Sequence, residues 1–192
     1  MKYRLLLLAW SFSILLVFLI NGVYAISTDM KQTYHPGETM IIRIYGNVLE
    51  PIMPGQIEFK RNNVRIPFEY DIKNIGGDYY LWAIMPINES QKNYTFLMKG
   101  ITTTVNGNVQ KIDFAQNFSV YGNLTVYTIK PGFIFAKSDF SIDALLNKDE
   151  SESININFLK PITSELQPGN NIIPFSIADI VGTQIIFIQF GV

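Results

Sequence analysis

From residue 30 onward, apolar side chains recur at every second position, and Gly, Pro, Asn and Asp interrupt the runs. A period of two is the spacing of a strand with one buried face. Met40, Ile42 and Ile44 point one way while Arg43 and Tyr45 point the other, and Ile57 and Phe59 alternate with Gln56, Glu58 and Lys60. Residues 64–70 continue the pattern, with Val64, Ile66, Phe68 and Tyr70 inward opposite Arg65, Pro67 and Glu69. Pro67 has no N–H to give to a ladder, which places this strand at an edge or at a bulge. Residues 79–85 (YYLWAIM) are apolar on both faces, as in a central strand covered on both sides. Tyr80 and Trp82 share parity with Ile84 and are assigned to the core, leaving Tyr79 as the exposed aromatic. Tyr94, Phe96 and Met98 face inward over 93–99, and residues 101–105 run into Asn106-Gly107, both residues tolerant of the positive φ of a type I′ hairpin turn. Residues 109–121 return with Ile112, Phe114, Phe118 and Val120 inward and Gln116 as the exception.

About seven strands between residues 30 and 121, separated by short turns, match the count and spacing of an immunoglobulin-like sandwich. Residues 26–122 are therefore read as one domain. Residues 123–192 are read as a second, smaller sandwich, with strands near 124–129, 140–145, 154–158, 171–177 and 184–190. The acidic stretch 148–153 (KDESES) reads as a solvated hairpin loop. Residues 185–190 are strongly β-prone; either they complete the second sandwich or the chain is a fragment of a longer surface protein. The expected fold is all-β, with tandem immunoglobulin-like β-sandwiches after an N-terminal signal-peptide helix.

That leader occupies residues 1–25. Lys2 and Arg4 supply a positive start, residues 5–20 an apolar run, and Val23-Tyr24-Ala25 the small residues that a signal peptidase needs. Cleavage is expected after Ala25, and an uncleaved membrane anchor through residues 5–20 is the alternative. The run is shorter than the roughly 20 apolar residues of a full span.

Charge and composition narrow the role. The 15 Lys and Arg are matched by 16 Asp and Glu and spread along the chain, which excludes the basic stripe of a nucleic-acid binder. The chain has no cysteine, which removes thiol nucleophiles and Cys-ligated zinc, and for an exported protein points to a prokaryotic surface.

Four Asn-x-Ser/Thr sequons begin at Asn88, Asn93, Asn117 and Asn123, where composition alone supplies about two. Parity puts Asn93 with Thr95, and Asn117 with Ser119, on outward faces that could carry a glycan. The single histidine, His35, stands in a Tyr-His-Pro-Gly turn. A Ser-His-Asp site would have to use it, with Ser27 or another hydroxyl, and no G-x-S-x-G elbow nominates a serine. No catalytic residue and no cofactor are expected. Asp139, Asp143, Asp149, Glu150 and Glu152 could converge on calcium, though their spacing matches no dense Asp-x-Asp loop. Tyr79, Tyr80 and Trp82 could form a sugar-stacking platform only through Tyr79.

Tyr34-His35-Pro36-Gly37-Glu38-Thr39-Met40-Ile41-Ile42-Arg43-Ile44 resembles the opening strand of macroglobulin-type and related immunoglobulin-like domains of bacterial and archaeal cell-surface proteins. Residues 55–60 and 78–80 look like the continuation of such modules. The resemblance implies a β-sandwich; it implies no protease trapping, because the Cys-containing thioester signature is absent.

The expected role is that of a non-enzymatic exported cell-surface protein, structural, adhesive or ligand-presenting, with envelope proteins or surface glycans as partners. An accessory carbohydrate- or substrate-binding module and an envelope assembly chaperone are the alternatives. Edge pairing is expected through 64–70 and 185–190.

Overall fold

The computed structural model describes residues 25–89, 91–157 and 161–179. These are all-β, with several sheets consistent with sandwich packing. One sheet runs β1 (Ile26–Thr28), β3 (Thr39–Gly46), β7 (Asp78–Ile84), β6 (Tyr70–Ile75). Another runs β2 (Thr33–Tyr34), β9 (Asn108–Val120), β8 (Lys92–Val105), β4 (Ile57–Arg61), β5 (Val64–Ile66). β2 lies parallel to β9, and the other neighbours are antiparallel.

The alternation seen in the sequence builds the core between these two sheets. Met40, Ile42 and Ile44 of β3 meet Ile57 and Phe59 of β4, Tyr94, Phe96 and Met98 of β8, and Phe118 and Val120 of β9 in one buried cluster. Gln116 breaks the apolar alternation of β9 for a reason: its amide joins Thr28 and the backbone carbonyl of Met30, where the chain passes from β1 to β2. A polar side chain there supplies hydrogen bonds to a crossing backbone that an apolar one would leave without partners.

Three of the described hairpins close on residues at positive φ, and Gly76-Gly77 closes the one between β6 and β7. Asn106 and Gly107, at 51° and 80°, join β8 to β9 as expected. Asn62 and Asn63, at 49° and 63°, do the same between β4 and β5, a turn whose Asn-Asn signal was there to be read. Gly107→Val places a β-branched residue at φ 80° and is expected to cost about 1–2 kcal/mol. Urea denaturation checks this; an unchanged midpoint would show that the turn relaxes freely.

Three expectations are corrected. Residues 64–70 are not one strand: β5 ends at Ile66 in one sheet and β6 begins at Tyr70 in the other. Pro67 ends the ladder, and Phe68 tucks inward to stack on Phe59 with ring centroids 4.3 Å apart. The parity of β7 is the reverse of that expected. Tyr79, Leu81 and Ala83 enter the core between the sheets, and Trp82 is buried on the other face. Both faces of β7 are apolar, so alternation alone could not choose between them.

The remaining strands gather around a second buried cluster containing Ile142, Ala144, Leu146, Ile154, Ile156, Leu166, Ile173 and Phe175. β10 (Tyr127–Lys130), β11 (Phe140–Leu146) and β14 (Gly169–Phe175) form one sheet; β12 (Glu152–Asn157) and β13 (Pro161–Leu166) form another. The third correction lies here. The acidic loop after Leu146 links β11 to a strand of a different sheet and is no hairpin loop, and β13 was not foreseen because PITSEL has a weak apolar period. The strand expected at 184–190 lies outside the described residues.

β10 is tied to the first sheet pair by buried polar contacts. The Thr128 hydroxyl donates to the Gly37 carbonyl at 2.7 Å, and Thr125 N–H to the Pro36 carbonyl at 2.9 Å. Thr39 both donates to the carbonyl and accepts from the N–H of Ile129. Asn147 braces the joint from behind, bonding the Thr128 hydroxyl and the Thr125 carbonyl. Gly132 then lies so close over Trp82 that a Cβ on it would stand 2.5 Å from the Trp82 Cβ.

Candidate interaction surface

The outer face of β8 and β9 carries two of the four sequons side by side. Antiparallel register places Asn93 opposite Ser119 and Thr95 opposite Asn117. Each sequon's hydroxyl donates to the other's asparagine: Ser119 to Asn93 at 2.8 Å, Thr95 to Asn117 at 2.9 Å. Both bonds go to the side-chain oxygen, and the amide nitrogens, the atoms that a glycan would occupy, remain outside this pairing. Parity had put each pair on an outward face of its own strand; only the register shows that the two sequons share one face and interlock.

Around this square, Gln32 and the Asn62-Asn63 turn complete a shallow depression of about 510 Å³ with no charged residue in its lining. Its walls offer both donors and acceptors, which suits a neutral, hydroxyl-rich ligand. Asn88 is exposed in the turn before β8, with Ser90 outside the described residues, and Asn123 is exposed between β9 and β10.

On the inward side of the same strands, Arg61 of β4 and the hydroxyl of the buried Tyr94 both donate to the Glu89 carboxylate. The bonds from Tyr94 and then Arg61 hold the Glu89 carboxyl below its ordinary value. Burial, with Glu89 beside it, pushes Tyr94 up to about 12. A depressed carboxylate pKa means that the folded state binds fewer protons than the unfolded one, so stability is present above pH 4.5 and falls as acid titrates the folded group. Glu58 beside Lys99, and Glu152 beside Lys148, are depressed in the same direction. Glu89→Gln is therefore expected to remove part, not all, of the fall in melting temperature between about pH 5 and pH 2. An acid limb of unchanged slope would show that Glu89 carries no such linkage.

The other sequence candidates fall elsewhere. Tyr79, expected to be exposed, is 9% accessible, and Tyr80 and Trp82 lie on the opposite face of β7, so no three-residue stacking platform forms. His35 follows β2 in a turn, where its backbone N–H bonds Glu38 and its ring lies against Gly122; Ser27 lies on β1, in the other sheet. The five acids considered for calcium are not brought together. Asp139 accepts from Ser176 and from the Ile177 N–H, Glu152 from Lys148, and no group of three possible ligands forms among the described residues. Among those residues no helix is long and apolar enough to cross a membrane, and residues 5–20 lie outside them.

No protein-family model matches the chain, and no curated protein matches it.

Proposed function

We propose that this chain is an exported, non-enzymatic cell-surface protein in which tandem immunoglobulin-like β-sandwiches act as a structural or adhesive spacer that presents its loops, faces and edges to partners. The observation that carries the reading is the joint between the two groups of strands. Thr128, Thr39 and Asn147 replace water with mutual hydrogen bonds there, and Gly132 closes on Trp82, so the second group is held against the first rather than swinging on a linker. A rigid joint is what a spacer needs and what an isolated binding module does not.

The strand order supports the immunoglobulin-like assignment. With β1 to β9 taken as A, A′, B, C, C′, D, E, F and G, the two sheets read A-B-E-D and A′-G-F-C-C′, the distribution of such a sandwich. The Tyr34–Ile44 resemblance to macroglobulin-type domains agrees with this placement. β1 begins at Ile26, so a chain cut after Ala25 keeps every described strand.

The neutral depression on β8 and β9 favours surface glycans as one class of partner, by hydrogen bonding in place of the Tyr79 stacking that burial removes. Envelope proteins are the other class.

Intact mass of protein recovered from the outer surface of its native cells tests the reading. A chain beginning at Ile26 is expected, with any glycan mass assigned by Asn→Gln changes at Asn88, Asn93, Asn117 and Asn123. Recovery in the cytoplasm alone would end the proposal.

A further inference from the structure

Among the described residues, β9 keeps one side open along most of its length. Its pairing with β2 is confined to Ser119 and Val120, while Lys92–Val105 covers its other edge from Asn108 onward. Ser119 and Tyr121 send their N–H groups away from β8, to the carbonyls of Gln32 and Tyr34. Alternation along a strand then directs the backbone groups of Val109, Lys111, Asp113 and Ala115 to the same side. No backbone hydrogen bond from another element reaches that side between residues 108 and 117 among the described residues. The register shift on this hairpin falls in β8, between Met98 and Ile101, and leaves the alternation of β9 intact. The crossing at Met30 and Gln32 closes the edge beyond Gln116, so residues 109–115 remain open.

This open segment is self-complementary. Turned antiparallel on a second copy about Ile112, it sets Lys111 of each chain opposite Asp113 of the other, and Val109 opposite Ala115. All four side chains are exposed on the solvent face, Val109 at 67%. The outward-directed backbone groups fall at those same pairs, so each pair exchanges N–H···O bonds while its side chains match in charge or in polarity.

We propose that residues 109–115 of β9 pair with the same segment of a second copy of this chain, joining two five-stranded sheets into one across a two-fold axis at Ile112. The inference rests on the reading of the chain as a surface module working through edge contacts, and supplies the edge. The expected edge at 64–70 is shortened to the three residues of β5, and the one at 185–190 lies outside the described residues. An isologous contact closes on itself, so it yields a dimer and not a filament.

Sedimentation equilibrium of the full chain over rising concentration is expected to show mass moving from that of one chain to that of two. Lys111→Glu sets Glu against Asp113 twice per dimer and is expected to weaken association about tenfold. The chain has no cysteine, so single introduced thiols report the register. Ile112→Cys lies on the axis, at a non-hydrogen-bonded pair whose Cα atoms are about 4.5 Å apart, and should oxidise to a covalent dimer. Val109→Cys, whose own copy lies about 20 Å away across the axis, should not. A chain that stays monomeric, Lys111→Glu that associates as tightly as the parent, or equal cross-linking at both cysteines overturns the proposal. None of those results bears on export, which the intact mass reports separately.

Discussion

Phe59→Ala is expected to lower the unfolding free energy of the chain by about 3–5 kcal/mol. Phe59 is 1% exposed and sits where both sheets meet residues 67–69, which pass from β5 in one sheet to β6 in the other. Its ring stacks on Phe68 at 4.3 Å and touches Phe96 at 5.6 Å, Tyr70 at 5.7 Å and Phe118 at 6.3 Å. Truncation removes the transfer free energy of a whole aromatic side chain and leaves a cavity among other rings, which collapse poorly because each is held by its own strand. The loss is a large share of the roughly 5–15 kcal/mol that stabilises a typical domain. Phe114→Ala, at a half-buried position of β9, is the comparison and should cost less. Urea denaturation followed by far-UV circular dichroism measures both; a Phe59→Ala loss under about 1 kcal/mol would mean that the ring is not the centre of this core.

The second large effect is expected at the joint. Gly132→Val places a branched side chain where Cβ alone would stand 2.5 Å from the Trp82 Cβ and 3.2 Å from the Ile41 Cγ1. Both neighbours belong to strands paired on each side within a sheet or packed against one, so the overlap is relieved by displacing the 130–132 segment from β7. The Thr128 and Thr39 bonds then lengthen or break, with an expected cost of about 1–3 kcal/mol. Trp10 precedes Ile26, so in a chain beginning at Ile26 Trp82 is the single tryptophan and its fluorescence reports this contact directly. Emission is expected to shift to the red in Gly132→Val, and protease cleavage between Asn123 and Gly132 to accelerate. Unchanged emission and cleavage would show that the two groups of strands are not held by this contact, and the spacer reading would lose its main support.

Much of the first sheet pair was legible because its strands are half-buried. Where one face meets the core and the other meets water, alternation names the inward residues. Met40, Ile42, Ile44, Phe59, Tyr94, Phe96, Phe118 and Val120 are all buried where their parity put them. The same logic failed on β7, where both faces are apolar. It also failed at residues 64–70, where an unbroken apolar parity runs through a change of sheet. Ile66, Phe68 and Tyr70 do pack against the core but Val64, expected inward, is 62% exposed, so the pattern was right about burial for only part of the run and silent about which sheet each residue joins. β13 went unseen because its apolar residues are too few to mark a period.

The candidate surfaces divide in the same way. The sequons are visible as strings, and parity placed two of them outward, but their interlocking depends on which residue of β9 meets which residue of β8. The open edge of β9 could not be read at all, since an edge is defined by the absence of a neighbour.

By itself the sequence determined the strand-rich class, the hairpin at Asn106-Gly107 and most inward-facing residues of the first sheet pair, because these follow from local backbone preference and from alternation along a single strand. Only the tertiary structure decided which face of β7 is the core, how Gly132 and Thr128 lock the second group of strands in place, and that β9 keeps one side unpaired over 109–115 among the described residues. Those outcomes depend on contacts between residues far apart in the chain, and a strand's own pattern carries no record of what lies across from it.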